Sequence, residues 1–469
     1  MLSAADNQLL TCTGPDTAMG RYFRRFWMPV ALSRELPERD GAPIRITALG
    51  EDLIAFRVSD GRIGLVEPTC PHRGANLFFG RNEDCAIRCI YHGWKFDLAG
   101  HAIEMPNVPP EAAYRGKMRI KAYPTREYAE MVWAYLGPVD AAPASASAST
   151  SVSASAPVPP GTGPVAATAP PPLPALEAGL VPASHRYVSK KRQQCNWAQS
   201  IEGALDTAHF SFLHMPAPKV AATEHPDANA DQKRLKWMRD DPLPRFSFAD
   251  HAAGFAAGAA RHADGADLYW RISQFLTPNH SLAPNALPGE NYQGQTWVPI
   301  SDTECWIYTY AWNPQRPLTA AERAKFGAGH GVIGEVGADY LPLRNRDNDY
   351  QIDREEQRHR TFTGVRGVSE QDAMVQDSQG LIADRTREHL TPTDAAVVRF
   401  RRIVLNGARD LAHGTPPAVA QDAGAYRMRS GSWVAPGVKA FNEVMLERFA
   451  DAAGRAPAAQ SGDQPGETA

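Results

Sequence analysis

The chain has no surplus of either charge: 49 Lys and Arg stand against 52 Asp and Glu, leaving a net charge of −3. No block or stripe of Lys and Arg interrupts that balance, which argues against nucleic acid as a partner. No apolar run approaches the roughly 18 residues a membrane helix needs, so no span is expected. Met1–Leu10 lacks the charged start and apolar stretch of a secretory signal. Cysteine is scarce, with six in 469 residues. Cys12, Cys85, Cys195 and Cys305 are scattered without disulfide-like spacing, which predicts a reducing, cytoplasmic setting. No G-x-G-x-x-G run follows a strand pattern, so the chain should not bind a nicotinamide dinucleotide itself. Charge disappears altogether from 141 to 176, a stretch dominated by Ala, Pro and Ser, which reads as a low-complexity linker.

What is present begins with the other two cysteines. Cys70-Pro71-His72-Arg73-Gly74 is answered, after a gap, by Cys89-Ile90-Tyr91-His92-Gly93-Trp94. Two thiolates and two imidazoles form the ligand set of a Rieske [2Fe–2S] cluster, in which a His pair replaces Cys on one iron. Structural zinc is the rival, but zinc fingers place both Cys in one knuckle and both His in the other. Here each knuckle supplies one of each.

Around these motifs, short apolar runs at 44–47, 53–58 and 63–67, with Asp60-Gly61 as a turn, predict a small all-β domain. Strands at 94–97, 119–123 and 131–136 complete it, giving an N-terminal segment and cluster domain over 1–140. Aromatics at 22–27 are positioned to join it to the next domain. After the 141–176 linker, a catalytic domain over 177–451 combines strands at 186–193, 268–276, 295–300 and 305–312 with helices at 196–208 and about 393–413. Long antiparallel sheet with flanking helices makes it α+β, of helix-grip type, and the chain multidomain. A flexible tail follows over 452–469.

The segment Glu202-Gly203-Ala204-Leu205-Asp206-Thr207-Ala208-His209-Phe210-Ser211-Phe212-Leu213-His214 carries a second candidate site. Non-haem Fe(II) enzymes that activate O₂ use two His and one carboxylate, leaving open positions opposite. At about 100° per residue, His209 and His214 diverge by about 140° on a continuous helix. Both reach one iron only if the helix ends or bulges between them. From 369 to 388 five acids compete for the third place: Glu370, Asp372, Asp377, Asp384 and Glu388. Composition does not choose among them.

Taken together, the two cluster motifs, Cys195-Asn196-Trp197 with Glu202-Gly203 and Asp206-x-x-His209-x4-His214, and Gln371-Asp372-Ala373-Met374 with Asp384-Arg385-Thr386-x-Glu388-His389-Leu390 resemble a known family. They are similar to the oxygenase (α) subunits of Rieske non-haem iron aromatic-ring-hydroxylating oxygenases, on the phthalate 4,5-dioxygenase-like branch. The resemblance implies that Cys70 and Cys89 bind one iron of the cluster and His72 and His92 the other. It implies that His209, His214 and Asp372 bind a mononuclear Fe(II), with Asp377 as the alternative acid. Asp206 matches the acid that links a Rieske His of one subunit to an iron-ligand His of its neighbour.

The same resemblance implies electrons from a separate NAD(P)H-dependent reductase, O₂ as co-substrate, and a homotrimer or dimer of trimers in aromatic catabolism. Phthalate-type substrates are anionic, so a cation in an apolar strand is the natural anchor. Arg271 within 268–276 is the first candidate; Arg245 and Arg261 are weaker ones. Ring dioxygenation of an aromatic carboxylate competes with monooxygenation or O-demethylation of an aromatic acid, since the motifs are common to both. A pure electron carrier would need only the cluster domain and leaves 180–469 without a role.

Overall fold

The computed structural model describes residues 1–112, 117–138, 169–217 and 230–453. Most of the linker and the tail after 453 therefore lie outside the described residues. Strands of the N-terminal domain form three small antiparallel sheets: Trp27–Leu32 with Met131–Tyr135 and Thr125–Tyr128; Ile44–Ala48, Glu51–Arg57 and Ile63–Val66; and a four-stranded sheet ending on Lys95–Phe96 and Ala102–Glu104. The expected strand at 119–123 is extended chain instead, tied by single bridges at Ala122 to Val66 and at Arg119 to His101.

The two cluster motifs fold as twin five-residue turns at strand ends. In one, the Cys70 amide donates to Ala75 O (2.9 Å) and the Gly74 amide returns to Cys70 O (2.9 Å). In the other, Cys89 donates to Trp94 O (2.8 Å) and Gly93 returns to Cys89 O (3.0 Å). Each turn closes on a residue with φ near +75°, 75° at Gly74 and 74° at Gly93. Glycine occupies this left-handed region without a Cβ penalty.

The catalytic domain is built on one eight-stranded antiparallel sheet, ordered Arg186–Gln193, Glu304–Trp312, Tyr292–Ser301, His280–Leu282, Asp267–Leu276, Gly254–His262 and Arg245–His251, with Gly431–Pro436 also pairing the 267–276 strand. The Arg186–Gln193 strand has the expected bounds. The late helix runs Ala395–Ala412, and Gly414 (φ 90°) follows its end as anticipated. Its buried face, Val397, Phe400, Val404 and Ala408, covers the Trp197–Leu205 helix. Phe400 meets Trp197 edge-on at 5.8 Å and Phe275 at 5.1 Å. Truncating a side chain such as fully buried Phe400 to Ala would cost roughly 3–5 kcal/mol.

One core runs through both domains. Phe23 meets Trp197 at 4.8 Å, so the early aromatics do join the domains. Buried Lys190 pairs with Glu35 (2.8 Å) beneath Trp306 and Tyr340. The packed chain also begins earlier than composition suggests. Leu176 is buried, and Trp27 Nε1 donates to Pro171 O. Proline-rich sequence hides this because Leu173 and Leu176 are its only large side chains.

Candidate active site and its metal donors

At the tips of the twin turns the thiols of Cys70 and Cys89 are buried, and all six cysteines are free. Burial pushes the Cys70 thiol up to about 11, and the neighbouring Cys89 adds to the rise. His72 and His92 lie 4.3 Å apart between ring centroids, and His72 stacks on Trp94 (4.8 Å, 9°). The Nδ1 atoms of both imidazoles are buried without a hydrogen-bond partner among the described residues. Buried polar atoms are normally satisfied. Two orphaned ring nitrogens beside two buried thiols therefore fit a metal group. The donors form a Cys pair and a His pair, and these four do not all come within 4.8 Å of one another as a single tetrahedral zinc would require. Two pairs suit two irons.

The second site depends on where one helix stops. Trp197–Leu205 ends with Asp206 as its C-cap in an extended conformation (φ −72°, ψ 124°). Asp206 Oδ1 accepts the Ala208 amide (2.7 Å), and a single 3₁₀ turn follows at His209–Ser211. This break removes the 140° conflict and turns both imidazoles inward. His209 Nε2 and His214 Nε2 are 3.1 Å apart. Asp372 Oδ1 lies 3.1 Å from His214 Nε2 and 3.5 Å from His209 Nε2. Among the described residues this is the one group of three such donors within 4.8 Å.

Contacts with the Trp197–Leu205 helix hold the element that carries Asp372. Asp372 rides on the Val368–Ser378 helix, and a Cβ on Gly203 would lie 2.4 Å from the Gln376 amide one turn further on. Ser200 Oγ also bonds Gln376 Oε1 (3.0 Å), and Gln199 Nε2 donates to Gln376 O (2.9 Å). The other four acids face elsewhere. Asp377 takes bonds from Gln193 Nε2 (2.7 Å) and the Tyr350 hydroxyl, and Glu388 pairs with Arg401. Glu370 accepts the Glu335 amide, and Asp384 the Thr386 amide.

The outer nitrogens of the two histidines are held differently. His209 Nδ1 faces Asp206 Oδ2 (3.2 Å), whereas His214 Nδ1 faces Gln371 Oε1 (2.7 Å). Gln371 is anchored in turn through its Nε2 to Val365 O (2.8 Å). The sequence resemblance includes Gln371, in Gln371-Asp372-Ala373-Met374, but gives it no role of its own. Burial, the largest influence on Asp206, raises its pKa, but the His209 contact and the Ala208 amide outweigh it and hold the carboxyl low. Asp372 is likewise held low against burial, by His214 first. His209 is raised: burial works against it, and the Asp206 bond and charge prevail. Two anchored imidazoles and an ionised acid, inner nitrogens converging, fit a 2-His-1-carboxylate iron.

A cavity of about 580 Å³ opens onto this triad. Phe210, Leu235, Met238 and Val332 give it apolar walls, and Arg271 enters from the sheet. Arg271 is 4 % exposed, lies 3.9 Å over the Phe210 ring, and leaves Nε and Nη2 without partners among the described residues. Arg245 is exposed near Asp241, and Arg261 is buried behind the 206–214 turn, so neither lines the cavity. A larger cleft of about 680 Å³ on the N-terminal domain carries four arginines. Arg57 and Arg62 there are paired with Glu127 and Asp60, and no thiol or imidazole lines the cleft, so it does not compete as the active site.

Known proteins now place the chain. Residues 26–124 match the Rieske [2Fe-2S] domain model, and residues 173–437 match the model described as LigXa C-terminal domain like. The chain belongs to the Rieske non-haem iron oxygenases. It is 37% identical over 87% of its length to 86% of the phthalate 4,5-dioxygenase oxygenase subunit of Pseudomonas putida. It is 32% identical over 93% of its length to 96% of the 3-chlorobenzoate-3,4-dioxygenase oxygenase subunit of Comamonas testosteroni. A 5,5'-dehydrodivanillate O-demethylase oxygenase subunit of Sphingobium sp. is 28% identical over 89% of this chain and 83% of its own. Among solved structures, dicamba monooxygenase bound to dicamba shares the fold at TM-score 0.54 and 16% identity, over 83% of this chain and 98% of its own. As an oxygenase subunit of this family the protein carries a Rieske [2Fe–2S] cluster, and the family's catalytic site carries a mononuclear non-haem iron. Among the described residues no helix is long and apolar enough to cross a membrane.

Proposed function

We propose that this terminal oxygenase hydroxylates the ring of a phthalate-like aromatic carboxylate. The observation that carries the reading is Arg271, a buried guanidinium in the wall of the cavity at the triad whose Nε and Nη2 have no hydrogen-bond partner among the described residues. An unsatisfied buried cation is costly, and a bound carboxylate relieves it with a two-point, charge-assisted contact. Phe210, Leu235, Met238 and Val332 offer the ring apolar surface beyond that anchor, in a cavity otherwise lined largely by polar side chains.

In this reading Cys70 and Cys89 hold one iron of the cluster, His72 and His92 the other, and His209, His214 and Asp372 the mononuclear iron. The chemistry these groups supply when bound is single-electron delivery and activation of O₂. The chain's own residues do the rest. Gln371 fixes His214, and Asp206 accepts from His209 Nδ1–H. Asp206 keeps 26% of its side chain exposed, where an imidazole of a second subunit can reach it. The His72 and His92 edge is likewise half-exposed beside the exposed Ile90 and Tyr91. A head-to-tail homotrimer, singly or as a dimer of trimers, would bring the two surfaces together. A separate NAD(P)H-dependent reductase feeds it.

The test is substrate discrimination. Arg271→Leu should raise KM for phthalate or benzoate substrates far more than for a neutral ester analogue. Equal effects on both remove Arg271 from the site. O-demethylation of a methoxylated aromatic acid is the second reading, favoured by the similarity to the dehydrodivanillate enzyme. Labelled O₂ separates the two: a cis-dihydrodiol with two labelled oxygens, or a phenol with release of formaldehyde.

A further inference from the structure

Arg261 is fully buried on the Gly254–His262 strand, yet among the described residues it has no carboxylate in hydrogen-bonding contact; Asp241 and Asp206 act on it only as charges at a distance. Burial pulls its guanidinium down to about 10, and the like charge of Arg271 on the next strand adds to the effect. Its Nε has no partner among the described residues. Such a cation is retained at a cost, and a hydrophobic residue of similar volume is often neutral or stabilising in its place.

Its three hydrogen bonds among the described residues all go to one segment. Nη2 donates to Thr207 O at 2.8 Å, Nη1 reaches Thr207 Oγ1 at 3.5 Å, and Nη2 reaches Ser211 Oγ at 3.5 Å. Thr207 lies between Asp206 and His209, and Ser211 between His209 and His214. In a helix continuing past Leu205, the Thr207 carbonyl would accept from the Ser211 amide four residues on. That amide instead bonds Ala208 O (3.1 Å), and Arg261 takes the Thr207 carbonyl. The guanidinium thus satisfies the group that the helix break sets free. A continued helix would carry His209 and His214 about 140° apart, off any common metal.

We propose that Arg261 is a positioning residue, a clamp that keeps the 206–214 turn broken so that its two histidines converge. The inference rests on the mononuclear-iron reading above.

Full-length Arg261→Met and Arg261→Lys test it, with the Rieske absorption confirming a folded N-terminal domain. Protein stripped of mononuclear iron is titrated anaerobically with Fe(II), the nitrosyl adduct is recorded by EPR, and amide exchange over 206–215 is measured before iron is added. In Arg261→Met the Kd for Fe(II) should rise tenfold or more, the EPR rhombicity should shift, and exchange should accelerate in that turn alone without loss of thermal stability. Arg261→Lys should fall between it and the parent. An Fe(II) Kd within twofold of the parent overturns the clamp, as does faster exchange throughout the catalytic domain, which would make Arg261 a general structural residue. If Arg261→Met does not fold, Arg261→Lys decides by the same twofold limit. A parent protein that takes up only the two cluster irons would instead remove the metal reading, and the clamp with it.

Discussion

Gln371 gives the sharpest test of how the site is held. Its amide joins His214 Nδ1 (2.7 Å) to Val365 O (2.8 Å), and Val365 is itself buried. Gln371→Leu keeps the size of the side chain and strips both contacts. Each lost contact leaves a buried polar group under-satisfied, at up to roughly 1–3 kcal/mol. The Val365 carbonyl keeps only the long contact from the Thr363 hydroxyl (3.5 Å) in both metal-free and metal-bound protein, so losing its short bond lowers stability. The His214 share appears when the ring is held by the metal with its outer N–H unpaired. Groups that orient a ligating histidine are worth about 10–100-fold in metal affinity, about 1.4–2.7 kcal/mol. Anaerobic Fe(II) titration against a competing chelator should therefore show a Kd raised 10–100-fold, with the Rieske absorption unchanged. Gln371→Glu, which restores an acceptor for His214 but loses the donor to Val365, should recover most of the affinity and little of the stability. A Leu variant that loses stability while keeping its Fe(II) Kd within threefold would refute the orienting role.

Asp206→Asn should behave in the opposite way. Both metal sites should fill, but turnover should fall roughly 100-fold with the Rieske cluster still reducible by dithionite; normal product formation would end the bridging role. Buried His280 supplies a pH test remote from the metals. Burial pulls it down to about 3, and its Nδ1 meets Thr296 Oγ1 at 2.7 Å. The unfolded chain takes up that proton near pH 6.5 and the folded chain only near 3. Stability present above pH 6.5 is thus lost as pH falls through this window, at about 1.4 kcal/mol per pH unit. Denaturant unfolding between pH 6 and 4.5 should show a slope shallower by about that much in His280→Gln, and an unchanged slope would mean that His280 is protonated in the fold. Buried His251, pulled down to about 4, contributes to the same slope and remains in the variant.

The cluster motifs were legible because their chemistry is local. Each Cys-x-His or Cys-x-x-His turn closes on its own glycine and needs nothing distant to set its geometry. The helix ending before Gly414 was readable for the same reason, from an apolar stripe within it and a glycine just past its end. The choice of Asp372 over Asp377 was not local. Both acids lie on one helix five residues apart, and what separates them is the partner each meets. Asp377 faces Gln193 and Tyr350, whereas Asp372 faces the histidines, on a helix that Ser200 and Gln199 tie down through Gln376. No propensity encodes that contact.

The two imidazoles also differ in a way their shared spacing conceals. His209 is backed by a half-exposed carboxylate and His214 by a buried neutral amide. A charged acceptor stabilises developing positive charge on its ring and presents a second face to whatever docks outside, while an amide only fixes orientation. Of the two imidazoles, His209 accordingly has the polar route toward the surface, through Asp206, and His214 is the insulated one. Under the proposed head-to-tail assembly, the Asp206–His209 hydrogen bond is the contact a neighbouring subunit's imidazole would reach, while Gln371 holds His214 in place.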